Sequence, residues 1–414
     1  MTRCLVLLVA TLALLGTLAG PHAQTRDPIV ILMSFDGWRW DYTDRANVPN
    51  LRALAARGVR AKELIPSFPS LTFPNHYTIV TGLYPGHHGI VSNTMATPSM
   101  PRKFSMSSNE VRNAAWWGGE PIWLTAIRQH RRAMSMFWPG SEAAIGGVSP
   151  TRWWPFDGSV PNEERVRRVL DWLALPEGER PAVVSMYFQE VDHVGHVNGP
   201  DSPELLEAAA HLDAALGQLV TGIDRIGLSD RVNIVVVSDH GMAPHTDDQM
   251  VFLDAVIDPA TVNVIATGEF VQLAPPPGRE RDASSIDAIA RAVRGKLPHV
   301  TFYTRDEIPA RYHYRDHPHI APIIGVADEG WMVTTREQEA RRKPDAEARR
   351  GAHGYDPALR SMHGLFVAAG PGVRQGFVAE PFENVHVYDF LCALLKLTPA
   401  PNDGDARATE GFLR

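Results

Sequence analysis

Several short, unbroken apolar runs punctuate the chain, and they end on acidic or histidine residues. Residues 29–35 (IVILMSF) run into Asp36, residues 183–188 run towards Asp192, and residues 234–238 run into Asp239 and His240. Between them lie segments with apolar residues three or four apart: 50–57, 163–173 and 203–223. In the last, Leu205, Leu206, Ala209, Leu212, Leu216 and Leu219 form one stripe, the spacing of an amphipathic helix. Continuous apolar strands alternating with such helices predict an α/β fold, with a mainly parallel central sheet and helices on both faces. Polar residues at the carboxyl ends of those strands converge on a ligand crevice.

The pattern changes near residue 252. Short strand-like pieces at 262–265, 269–273, 323–326 and 331–334 surround one helix over 284–297, and Pro275, Pro276, Pro277 and Gly278 break the run. This predicts a smaller α+β insertion over 252–349, between a first core segment (27–251) and a return segment (350–414). Residues 364–369 would rejoin the main sheet, and the charge run over 336–350 suits a solvated helix or loop.

At the start, Arg3, an apolar run over 4–19 and Pro21-His22-Ala23 before Gln24 have the form of a cleaved signal peptide over 1–23. The competing reading, a membrane anchor, asks for a longer apolar stretch. Export follows, to a secreted or periplasmic location. Cys4 would leave with the signal, so the mature chain would hold Cys392 alone and no internal disulfide, which suits a bacterial periplasm and a core sufficient by itself. Cys392 lies in an apolar stretch, as a small buried hydrophobe does. A chain of 414 residues, 44% hydrophobic, can bury a large core. The net charge of −7, with Lys and Arg dispersed, excludes a basic stripe for polymeric nucleic acid.

The strand ends carry metal-ligand chemistry. Asp192 and His196 stand four apart, on one face if the segment is helical, although Gly195, Asn198 and Gly199 suggest a tight loop instead. Asp239-His240-Gly241, Asp36-Gly37 and His363-Gly364 adjoin other apolar runs. Each pair alone is an ordinary surface or capping feature. Three strand ends bearing Asp and His in one α/β chain suit zinc, which accepts imidazole and carboxylate and keeps an open position where it is catalytic. The segment Ser67 to His76 (SFPSLTFPNH) adds a hydroxyl. Thr72 precedes a helical pattern over 73–81, as an N-cap does, and a helix start directs backbone N–H groups at an anion. A hydroxyl there can also serve as a nucleophile activated by a metal.

Together these segments resemble the nucleotide pyrophosphatase/phosphodiesterase family of the alkaline phosphatase superfamily. The motifs are Ser34-Phe35-Asp36-Gly37, Thr72-Phe73-Pro74-Asn75-His76, Thr81-Gly82-Leu83-Tyr84-Pro85 with His88-Gly89-Ile90, Asp192-His193-Val194-Gly195-His196, Ser238-Asp239-His240-Gly241-Met242 and Met362-His363-Gly364. The resemblance implies an alkaline-phosphatase-like fold and two zinc ions per chain, one among Asp36, Thr72, Asp239 and His240, the other among Asp192, His196 and His363. It implies that Thr72 attacks phosphorus to form a phosphothreonine and that Asn93 binds a phosphoryl oxygen. Phe73 then packs on a nucleobase or other leaving group, with Phe156 and Tyr187 as further candidates for that pocket.

The substrate implied is a small phosphate ester or nucleotide. No arginine lies between Ser67 and His88, where a monoester clamp would sit, which favours diesters. A phosphomonoesterase and a choline-phospholipid phosphodiesterase on the same fold stay open as alternatives. So does a non-catalytic zinc-stabilised binding protein, although structural zinc favours closed thiolate sites and this chain has no spare cysteines.

Overall fold

The computed structural model describes residues 27–341 and 349–414, and the leader expected over 1–23 lies outside the described residues. Ile29–Phe35 is the central strand, and its side chains alternate between two cores. Ile29, Ile31, Met33 and Phe35 enter one, while Val30 and Leu32 enter the other. Burial on both faces is why the sequence shows a continuous run there rather than an alternation.

Val183–Phe188 pairs with this strand in parallel on one side, Val30 opposite Val183, and Val232–Val237 on the other, Ile29 opposite Val232. Ala133–Met136 and Arg152–Trp154 extend the parallel array beyond Val183–Phe188. Towards the opposite edge, Phe366–Ala369 pairs antiparallel with Val232–Val237 and Val59–Ala61, and Phe377–Ala379 closes the sheet parallel to Val59–Ala61. The 8-stranded sheet is therefore mainly parallel, with Phe366–Ala369 reversed among its described strands. Helices Pro49–Ala56, Asn162–Leu173 and Pro203–Arg225 cover the face of Ile31. Thr72–Thr81, Ile122–Arg128 and Val387–Leu395 cover the other. Cys392 is buried in the last of these, and desolvation pushes its thiol up to about 12, which makes it inert as a nucleophile.

After residue 252 a separate 4-stranded antiparallel sheet forms in the order Asn263–Ala266, Phe270–Ala274, Ile323–Ala327, Val300–Thr304. Helix Ala283–Val293 packs on it through Ile289, Ala290 and Val293. Val300–Thr304 had no counterpart in the periodicity because it is an edge strand that buries only Val300 and Phe302. The helix stops before residue 297 because Arg294 turns extended and Gly295 takes φ +64. Met332–Thr334 leaves this sheet and pairs in parallel with Met250–Phe252. Arg336–Arg341 is a helix without buried residues, as its charges suggest.

Candidate active site

Three neighbouring parallel strands deliver their carboxyl ends to one crevice. Ile29–Phe35 delivers Asp36, followed by Gly37 at φ +68. A Cβ on Gly37 would stand 2.8 Å from the Asp192 backbone, so glycine lets this strand end approach the next element. Val232–Val237 delivers Asp239 and His240, and the Gly37 N–H donates to Asp239 Oδ1 at 3.2 Å. His240 Nε2 lies 3.0 Å from Asp239 Oδ2 and 3.4 Å from Asp36 Oδ1, with all three side chains buried. Thr72 is the first residue of its helix rather than the N-cap, which is Leu71. The Thr72 hydroxyl therefore leaves its own backbone and sits 3.4 Å from His240 Nε2. Asn93 Oδ1 accepts from the Phe73 N–H at 2.9 Å, at the same helix start.

After Val183–Phe188 the chain enters a helix, Glu190–Asn198, rather than the tight loop that Gly195 and Gly199 suggest. Asp192 and His196 are thereby one turn apart, Oδ1 to Nε2 at 3.5 Å. Gly195 serves a different end, since it lets Met242 and Leu205 pack close to the helix. The third member of this group is His353. Its Nε2 lies 3.5 Å from Asp192 Oδ1, and its ring stacks on His240 with centroids 3.5 Å apart.

His363, expected in this position, is not brought to the cluster. Its Nδ1 bonds Glu63 Oε2 at 2.5 Å and its Nε2 faces Pro357 O at 3.0 Å, so both nitrogens are engaged away from the cluster. His196, His240 and His353 have the opposite arrangement. Their Nδ1 atoms bond the backbone carbonyls of Gly351, Gly241 and Ser70 at 2.8, 2.9 and 2.9 Å. A carbonyl only accepts, so each Nδ1 carries the proton and each Nε2 lone pair is turned to the crevice, the arrangement that orients metal-bound imidazoles. His76 also lies beside Asp239, yet its nitrogens are taken by Ser34 Oγ at 2.7 Å and Thr72 O at 2.8 Å.

The electrostatics ask for a cation. Asp36 Oδ1, Asp192 Oδ1 and Asp239 Oδ2 are buried without a hydrogen bond, although a buried carboxylate oxygen ordinarily has a partner. Imidazole lone pairs face those oxygens, so acceptor opposes acceptor until a proton or a metal ion stands between them. Burial, then the charges of Asp239 and Asp192, hold the Asp36 carboxyl well above the usual range. Asp239 is held well below it: burial opposes, and His240 and His76 prevail. Carboxylates and imidazoles without thiolates fit zinc or a similar divalent ion. Asp192, His240 and His353 offer ligand atoms within 4.8 Å of one another, as do Asp36, His76 and Asp239.

Tyr187 touches this cluster through a ligand candidate. Its hydroxyl donates to Asp36 Oδ2 at 2.5 Å, and burial, followed by the Asp36 charge, keeps that hydroxyl protonated by raising its pKa. The bond spends one Asp36 oxygen and aims the other into the crevice. Tyr187→Phe is accordingly expected to weaken metal binding by about 10- to 100-fold, read by competition with a chromogenic chelator. An unchanged affinity would remove Tyr187 from this role. Phe156 is 48% exposed and rests on Phe137 and Tyr187, with centroids 5.6 and 5.7 Å away. Phe73 is partly buried against Phe104 and Trp117. His88 bonds Thr78 inside the core and His87 pairs with Asp403, both away from the crevice. Thr72, Asn93, Asp192, His196 and His353 line one cleft of about 750 Å³, whose far wall comes from the insertion.

Sequence reasoning missed His353 because the strand before it, Gly351–Ala352, is two residues long and follows a charge run. His363 adjoins a longer apolar run and took its place. The available signal was a second His-Gly pair, His353-Gly354.

Residues 30–356 match the family described as type I phosphodiesterase / nucleotide pyrophosphatase. An uncharacterized pyrophosphatase/phosphodiesterase of Schizosaccharomyces pombe is 38% identical over 389 residues, 91% of this chain and 78% of its own. Ectonucleotide pyrophosphatase/phosphodiesterase family member 3 of Rattus norvegicus is 37% identical over 399 residues, 94% of this chain and 44% of its own. The chain thus spans less than half the length of that relative. The structure of murine ectonucleotide pyrophosphatase / phosphodiesterase 5, an inactive threonine-to-alanine variant in complex with AMP, is similar with a TM-score of 0.86. It is 33% identical, and the match covers 94% of this chain and 100% of that one.

Proposed function

Because this chain belongs to the type I phosphodiesterase / nucleotide pyrophosphatase family, we propose that it hydrolyses phosphodiester or pyrophosphate bonds of nucleotides, with Thr72 as the nucleophile. One observation carries the reading. The Thr72 hydroxyl stands at a helix start, 3.4 Å from His240, where two sets of inward-facing Asp and His side chains meet. Two zinc ions, one held by Asp36, Thr72, Asp239 and His240 and one by Asp192, His196 and His353, would neutralise phosphoryl oxygens and ease ionisation of the attacking and leaving oxygens.

The chain's own residues supply the rest. Thr72 Oγ1 gives up its proton to solvent and forms a bond to phosphorus while the bond to the leaving oxygen breaks on the side of Asp192, His196 and His353. A phosphothreonine results. Water then attacks the same phosphorus from the vacated side, and Thr72 departs and recovers its proton. Asn93 Oδ1 is spent on the Phe73 N–H, so Nδ2 is the atom it offers to a non-bridging oxygen. Phe73 and the half-exposed Phe156 give apolar rings for a nucleobase, consistent with AMP in the murine relative. A cleaved leader of the kind read in the sequence would carry this chemistry out of the cytoplasm, to the periplasm or medium.

A substrate panel tests the reading. A nitrophenyl nucleoside diester should exceed nitrophenyl phosphate in kcat/KM by about 100-fold or more, because the binding contacts proposed serve a substituted phosphate. ATP and dinucleotides should be cleaved, and nitrophenyl phosphocholine should be poor. Equal rates on the monoester would sink the diester assignment.

A further inference from the structure

The hydrolytic scheme gives His76 no role, although it is fully buried and offers a ligand atom within 4.8 Å of Asp36 and Asp239. Its Nδ1 faces Thr72 O at 2.8 Å and passes Asp239 Oδ2 at 3.3 Å. A carbonyl only accepts, so Nδ1 carries the proton and has no lone pair for a metal ion. In the neutral ring Nε2 then accepts from the Ser34 hydroxyl at 2.7 Å. His240 is arranged the other way, with Nδ1 bonded to a carbonyl and Nε2 turned to Asp239.

The ring is held in this orientation. Trp138 and Tyr187 meet it edge to face, each with centroids 5.1 Å away, and Trp138 Nε1 donates to His76 O at 3.2 Å. Ser34 stands on the central strand, two positions before Asp36. One imidazole thus joins three pieces of the site: the strand that ends at Asp36, the Asp239 carboxylate and the carbonyl of Thr72. A second imidazole holds the same segment two residues earlier, where His353 Nδ1 donates to Ser70 O at 2.9 Å.

We propose that His76 is a positioning residue: by donating its Nδ1 proton to the Thr72 carbonyl beside Asp239, it sets the nucleophile against Asp36, Asp239 and His240. It does so without ligating an ion. The inference rests on the role proposed for Thr72 and adds the group that fixes its place. A shift of the first helical turn by about 1 Å would cost roughly 100-fold in rate. Since His76 is fully buried, its effect should fall on kcat rather than on KM.

The test compares His76→Asn, His76→Gln and His76→Ala on a nitrophenyl nucleoside diester. The Asn amide places an N–H near the position of Nδ1, whereas the longer Gln amide reaches that of Nε2. Gln and Ala should therefore lose roughly 100-fold in kcat, with KM within about threefold of wild type. Asn should restore kcat to within about 10-fold of wild type. Metal content by mass spectrometry should stay at the wild-type value in all three, because no ligand is removed. A shared loss of metal would make His76 a ligand. Equal kcat losses in Asn and Gln that follow the melting temperature would make its role structural. Either result, or near-wild-type kcat in Gln and Ala, overturns the proposal. Ser34→Ala decides the matter where the His76 variants do not fold. It keeps the imidazole and removes the partner that orients it, and should lower kcat about 10-fold with metal content unchanged. An unchanged kcat there overturns the proposal as well. A wild type that turns over without ever carrying phosphate on Thr72 would instead strike the nucleophile assignment, so the two failures are distinguishable.

Discussion

Thr72→Ala should lower kcat on a nucleoside diester by roughly 10⁴- to 10⁶-fold, the range for removal of a nucleophile that acts with its neighbours as a unit. The lower end corresponds to about 5.5 kcal/mol of transition-state stabilisation. The fold should be spared. Thr72 is the first residue of a helix whose N-cap makes no side-chain bond, and its hydroxyl makes only a 3.4 Å contact with His240. Loss of that hydroxyl gives up one long hydrogen bond, so the melting temperature should move by a few degrees at most. Steady-state kinetics, metal analysis and thermal melts on one preparation check all three statements. Acid quench of the wild type during turnover should also trap phosphate on the peptide that contains Thr72. Near-wild-type turnover by a folded Thr72→Ala protein would require another nucleophile, either water or a different side chain.

Most of this site was legible because the fold writes its geometry into local pattern. A strand buried on both faces must be continuously apolar, and a ligand at its carboxyl end must interrupt that run with a polar residue. Asp36, Asp239 and His240 all announce themselves that way. Asp192 and His196 were legible through their spacing, although spacing alone left helix and loop open. The helix wins because Gly195 is needed for packing against Met242 and Leu205 rather than for a turn.

What stayed illegible depends on contacts between distant segments. Tyr187 sits within a buried strand like any core aromatic, and only the fold brings its hydroxyl to Asp36, 151 positions away. Arg349 lies near the end of a charge run that looks solvated, and only the fold brings it to the cleft lining. The Thr72 reading was sharpened in the same way. A threonine at a helix start is usually a cap, and its placement one residue inside the helix frees the hydroxyl for the crevice.

The two histidine–glycine pairs make the sharpest comparison. His353→Ala should remove one Nε2 donor from the Asp192–His196 side and lower metal occupancy there, with a loss of activity of at least about 100-fold, beyond the usual effect of a supporting residue. His363→Ala should leave metal stoichiometry intact. Its imidazole bridges Glu63 and Pro357 O, so its removal strands the Glu63 carboxylate beside Arg360 and acts on stability instead. The contrast survives a loss of folding in either variant, because His353→Gln keeps a polar side chain able to bond Ser70 O while withholding the imidazole Nε2. Metal content by mass spectrometry, beside melting temperature, separates the cases. Lower zinc in the His353 variants with a near-normal melt after metal addition, set against full zinc and a lowered melt in His363→Ala, is the expected pattern. The reverse pattern would place His363 on the metal and require the loop from Pro357 to His363 to rearrange on binding. The backbone argues against that, since Gly241 packs directly on the Ser361 and His363 carbonyls, where a Cβ would stand 2.2 and 2.8 Å away.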